Sequence, residues 1–102
     1  MIADHLARQS LLRGATSVGS IRKEIDFIDD MLMLLLGQRQ ELVREVGRWK
    51  KSRRIPIPDP GRERDIIKKR LALALEANLD ADFVRKIFHA VFEHARSIQK
   101  GA

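Results

Sequence analysis

The stretch from Ile21 to Trp49, IRKEIDFIDDMLMLLLGQRQELVREVGRW, decides the fold. Its apolar residues recur as Ile21, Ile25, Ile28, Leu32, Leu35, Leu42, Val46 and Trp49, in a rhythm of fours and threes interrupted only at position 39. That rhythm is the seam of one long helix, and it assigns Trp49 to the core. Gly37 lies inside the run, but a single glycine costs only about 1 kcal/mol and does not break it. Ser20 is a candidate N-cap. At the other end Lys-Lys-Ser-Arg-Arg (50–54) leads into Ile-Pro-Ile-Pro-Asp-Pro (55–60), which cannot continue a helix.

Downstream, Asp59 followed by Pro60 is a cap and first-turn pair, predicting a second helix from about Pro60 to Ala77 with Ile66, Ile67, Leu71, Ala74 and Leu75 on its apolar face. Asn78 closes that helix. Asp80 caps a third, running to about Lys100 with Val84, Ile87, Phe88, Val91, Phe92, Ala95 and Ile98 on one face. Upstream, Gly14 and Gly19 bracket a Ser/Thr-containing break, so residues 1–18 read as an amino-terminal appendage and residues 19–102 as the folded domain. The fold class is all-α: a three-helix protomer with one long helix.

Composition agrees. A chain of 102 residues, 44% hydrophobic and 33% charged, with six Gly and three Pro, fits one globular helical domain. The absence of cysteine excludes a disulfide framework and thiol chemistry. The apolar run Met31 to Leu36 is far too short to span a bilayer, and the charged residues among the first twenty do not resemble a secretory signal, which leaves the cytoplasm as the expected compartment. A formal net charge of +6 favours an anionic partner.

Position 39 is where that charge becomes specific. The seam calls for an apolar residue there and the chain has Arg. A buried guanidinium needs a partner, either a carboxylate such as Glu41, Glu45 or one on another helix, or an anionic ligand. Lys50 lies eleven residues on, within roughly 20° of the same face and about 16 Å along the axis, so two long side chains can close on one small dianion. Arg22 precedes Arg39 by about 25 Å of helix and cannot reach the same ligand from the same copy. The seam, about 45 Å long, also overhangs a compact protomer whose radius of gyration is about 13 Å. Both facts point to an intertwined homodimer in which Arg22 serves the partner's site.

With these residues in view, the chain from Ile21 to Gln99 resembles the all-helical (AroQ class) chorismate mutases. The resemblance is carried by Ile-Arg-Lys-Glu-Ile-Asp-Phe-Ile-Asp (21–29), by Arg39 to Lys50 with Val46-Gly47, by Ile57-Pro58-Asp59-Pro60-Gly61-Arg62-Glu63-Arg64, and by Phe88, Glu93 and Gln99. It implies a domain-swapped homodimer that rearranges chorismate to prephenate, for aromatic amino acid biosynthesis, without cofactor or metal. By the same resemblance Arg22 of the other subunit and Arg39 bind the two carboxylates, and Lys50 and Gln99 donate to the ether oxygen. Glu63, with the backbone near Asp59, holds the ring hydroxyl, and Arg62 assists. Ala95 stands where many relatives carry Ser.

The chemistry fits a chain that offers no triad, carboxylate dyad or metal cluster, because a unimolecular rearrangement needs only a held conformer and stabilised charge. His5, His89 and His94 lack ligand spacing and read as structural or surface residues. Two other readings stay open. An isochorismate pyruvate lyase grips a similar dianion. A nucleic-acid-binding module would use the run Lys50, Lys51, Arg53 and Arg54, although the third helix is not basic along one face. Neither nucleic acid nor membrane is the expected partner.

Overall fold

The computed structural model describes residues 17–102. These form three helices and no strand: α1 (Val18–Ser52), α2 (Pro60–Glu76) and α3 (Ala81–Lys100). The expected appendage, residues 1–18, lies outside the described residues except for its last two, and Val18 already belongs to α1. Among the described residues no helix is long and apolar enough to cross a membrane.

The cap expected at Ser20 is corrected. Ser17 Oγ accepts from the Ser20 N–H at 3.2 Å, and the Ser17 carbonyl accepts from the Ile21 N–H at 3.1 Å, so the helix starts one turn earlier. The other two caps form as expected. Asp59 accepts from the Arg62 N–H and Asp80 from the Phe83 N–H, satisfying first-turn donors that would otherwise lack partners.

Two helix ends close by the same device. After α2 the Leu79 N–H donates to the Ala74 carbonyl and the Asn78 N–H to the Leu75 carbonyl, with Asn78 at φ 57°. After α1 the Ile55 N–H donates to the Lys50 carbonyl and the Arg54 N–H to the Lys51 carbonyl, with Arg54 at φ 56°. This is the Schellman pattern, whose left-handed residue suits Gly or Asn; Arg54 occupies it without their conformational freedom.

The chain divides into two units, Met1–Gln38 and Arg39–Ala102, and α1 contributes to both. In the first, Ile21, Ile25, Ile28, Leu32 and Leu35 form the predicted row, yet each is 44–53% exposed. In the second, α2 packs on α3. Its core is Ile66 and Ala74 of α2 with Val84 and Phe92 of α3, joined by the buried Gly47 of α1. Phe88 tilts against Phe92 with ring centroids 6.0 Å apart.

Three expected core positions are corrected. Leu75 is 84% exposed, because one step past Ala74 turns it about 100° away from the packed face. Ile87 is exposed on the flank of α3. Trp49 is also half exposed, its ring covered on one side by the Arg53 guanidinium 4.5 Å from the centroid.

Candidate active site

Within the second unit a cavity of about 450 Å³ opens between the carboxyl-terminal part of α1, the following loop, α2 and α3. Its size suits a small metabolite. Of the residues predicted for the site, Arg39, Lys50, Asp59, Arg62, Glu63, Ala95 and Gln99 all line it. Arg22 does not; it lies exposed in the helical part of the first unit. Apolar walls come from residues such as Val46, Ile66 and Phe92.

Arg39 is half-buried, and among the described residues no carboxylate pairs with it. Neither Glu41 nor Glu45 answers it: Glu41 is paired with Arg44, one turn further along the helix. Burial, reinforced by the charges of Arg70 and Arg62, lowers the pKa of the Arg39 guanidinium from its ordinary value. A cation desolvated beside two others, with no counterion among the described residues, is the arrangement an anionic ligand relieves.

Lys50 is held from two sides. Its Nζ donates to the Ile57 carbonyl at 2.7 Å and to Gln99 Oε1 at 3.4 Å. The first bond follows from the turn after α1, which folds the proline-containing loop back over Lys50. The ammonium keeps a third N–H. Gln99, with its carbonyl turned toward Lys50, keeps its amide NH₂. A cationic and a neutral donor are thus left side by side.

Gly47 makes that pairing geometrically possible. A Cβ at this position would stand 2.9 Å from Gln99 Cα and 3.0 Å from Ala102 Cβ. Only glycine lets the end of α3 come this close to α1.

Asp59 acts on the site through its cap. Its Oδ1 accepts from the Arg62 N–H at 3.1 Å and its carbonyl from the Glu63 N–H at 3.0 Å, which fixes the first turn carrying both side chains. Glu63 does not stand alone: its Oε2 accepts from Arg96 Nη1 at 2.6 Å, and Arg96 also lines the cavity. Ala95 presents no donor.

Arg96 is the residue that sequence reasoning missed. No local signal marked it, because the apolar face of α3 continues unbroken through Ala95 and Ile98 and leaves Arg96 beside it. Arg70 was missed as well; it lies over the Phe88 ring, 5.7 Å from its centroid, and adds its charge to the field at Arg39.

Fold and cavity together define a class, an all-helical protein with a cationic pocket of metabolite size. Residues 21–100 match the family model described as chorismate mutase type II, and the chain belongs to that family. It is 37% identical over 83 residues to a chorismate mutase of Methanocaldococcus jannaschii, covering 81% of this chain and 84% of that protein. It is 34% identical over 74 residues to the bifunctional chorismate mutase/prephenate dehydratase of Escherichia coli K12, covering 72% of this chain but 19% of that protein. A 3-dehydroquinate dehydratase of Pyrobaculum aerophilum is 30% identical over 103 residues, 97% of this chain and 31% of that protein.

Proposed function

We propose that this protein is a chorismate mutase, rearranging chorismate to prephenate for aromatic amino acid biosynthesis in the cytoplasm. The observation that carries the reading is Arg39: a half-buried guanidinium without a counterion among the described residues, in a cavity where Lys50 and Gln99 leave two donors side by side. Its family membership names the dianion that such a cavity takes.

The reaction breaks an ether C–O bond while a C–C bond forms in one cyclic electron shift, with no proton transferred and no covalent enzyme intermediate. Catalysis therefore consists of holding the extended dianion in its folded conformer and stabilising the negative charge that grows on the ether oxygen. Arg39 binds one carboxylate through its planar fork, with Arg62 assisting in the carboxylate region. The spare N–H of Lys50 and the NH₂ of Gln99 donate to the ether oxygen. Glu63, with the backbone at Asp59, accepts from the ring hydroxyl. Ala95 offers shape without a hydrogen bond.

The second carboxylate is assigned to Arg22 of another copy. The exposed row from Ile21 to Leu35 supports this, because apolar residues at helical spacing bury themselves when a second copy covers them. The proposal is thus an intertwined homodimer with two shared sites, built from residues 19–102 with residues 1–18 as an appendage. No cofactor or metal enters. Glu63 in the cavity favours the mutase over the lyase, because a hydroxyl-accepting carboxylate belongs beside that ring.

Purified protein incubated with chorismate should consume its absorbance and form prephenate, and Arg39→Ala should abolish this. An inert wild type, or full turnover by Arg39→Ala, would overturn the reading.

A further inference from the structure

The roles above leave Arg96 without a task, although it lines the same cavity. Its Nη1 donates to Glu63 Oε2 at 2.6 Å, joining α3 to α2, with the two side chains 32% and 28% exposed. Two other ion pairs, Arg44–Glu41 and Arg85–Asp82, link neighbours three apart on one helix, with their carboxylates largely in solvent. Such surface pairs do little. A charge-assisted bond between helices, at the edge of a cavity, fixes geometry.

Three features indicate what it fixes. Glu63 has one oxygen engaged by Arg96, while Oε1 has no partner among the described residues, so the carboxylate offers one acceptor held in direction. The lining carries four cations, Arg39, Lys50, Arg62 and Arg96, against two carboxylates, Asp59 and Glu63. Arg96 offsets the charge of Glu63, which would otherwise repel a dianionic ligand. Arg96, finally, pairs with no carboxylate but Glu63 among the described residues, which marks it as acting through that residue.

We propose that Arg96 is a positioning residue: it holds the Glu63 carboxylate aimed at the ring hydroxyl and cancels the repulsion between Glu63 and the substrate's carboxylates. This rests on the chorismate mutase reading. Hydroxyl and carboxylates are held alike in the ground and transition states, so loss of Arg96 falls mainly on KM.

The test is steady-state kinetics with chorismate on wild type, Arg96→Gln, Arg96→Lys, Glu63→Gln and the Arg96→Gln/Glu63→Gln double variant, with Tm measured for each. Arg96→Gln should lower kcat/KM about tenfold or more, chiefly through KM, as expected when a charged hydrogen bond is lost. Arg96→Lys should recover most of the loss because it keeps the charge. In the Glu63→Gln background, Arg96→Gln should cost less than about twofold, because its effect runs through Glu63. Turnover of Arg96→Gln equal to wild type would overturn the inference, as would an undiminished cost in the Glu63→Gln background, which would mean direct contact with substrate. A fall in apparent kcat and Tm at unchanged KM would reduce Arg96 to a structural residue. Wild-type protein inert toward chorismate overturns the mutase reading and this inference with it, whereas an active wild type with an unaltered Arg96→Gln overturns this inference alone.

Discussion

Arg39 carries a cost in the free protein that, on the proposed reading, substrate binding relieves. Burial lowers its pKa first, and the charges of Arg70 and Arg62 lower it further, so the protonated form is disfavoured by folding. The sign follows: below the lowered folded-state value both folded and unfolded chains carry the proton and the full penalty stands. It is relieved only as pH rises from that lowered value toward the ordinary one, in strongly alkaline solution. At neutral pH the charge is present and the penalty complete. Arg39→Met should therefore leave Tm unchanged or raised while lowering kcat/KM about 10²–10³-fold, the scale for a lost charge-stabilising donor. Thermal unfolding and initial-rate kinetics on the same sample check both halves. A marked drop in Tm would mean that Arg39 is a structural residue with a hidden partner.

At the scale of the helices, the turn after α1 matters because it presents Ile57 to Lys50. Arg54 holds the left-handed position of that turn at φ 56°, where a Cβ is unfavourable. Arg54→Gly should stabilise the protein by about 0.5–1 kcal/mol, seen as a higher denaturation midpoint, with activity retained. Gly47 predicts the reverse: Gly47→Ala drives a methyl into the backbone at Gln99, so it should cost about 1–3 kcal/mol and reduce kcat by separating Gln99 from Lys50. These two positions also show what the sequence could reveal. Caps at Asp59 and Asp80, the closure at Asn78 and the long seam were legible because each rests on residues within a turn or two of one another. Arg39 was legible because one charge broke a local rhythm. Gly47 was not, since its significance depends on Gln99, more than fifty residues away, arriving opposite it. Arg96 was not legible either, because its meaning lies in Glu63 on another helix. Trp49 was misread because the apolar rhythm of α1 marks a face and cannot say what covers it.

For the whole molecule, the question is what covers the exposed row from Ile21 to Leu35 and what uses Arg22. The proposed second copy would answer both, and the two answers can be tested separately. Sizing should give a dimer, since five half-exposed branched apolar residues on one helix represent a large area to leave in water. Sharing of the site is the stronger claim and has its own signature. Arg22→Ala and Arg39→Ala should each be inactive alone, because every site in either homodimer lacks one grip on the dianion. When the two are unfolded together and refolded at equal concentration, half of the dimers are mixed, and each mixed dimer combines an intact Arg39 with an intact Arg22 in one of its two sites. About a quarter of wild-type activity should return. Its appearance only on co-refolding, and not when the folded variants are simply combined and assayed at once, would show that the subunits exchange through unfolding, as an intertwined pair must. A dimer that recovers no activity would keep the apolar interface but remove Arg22 from the site.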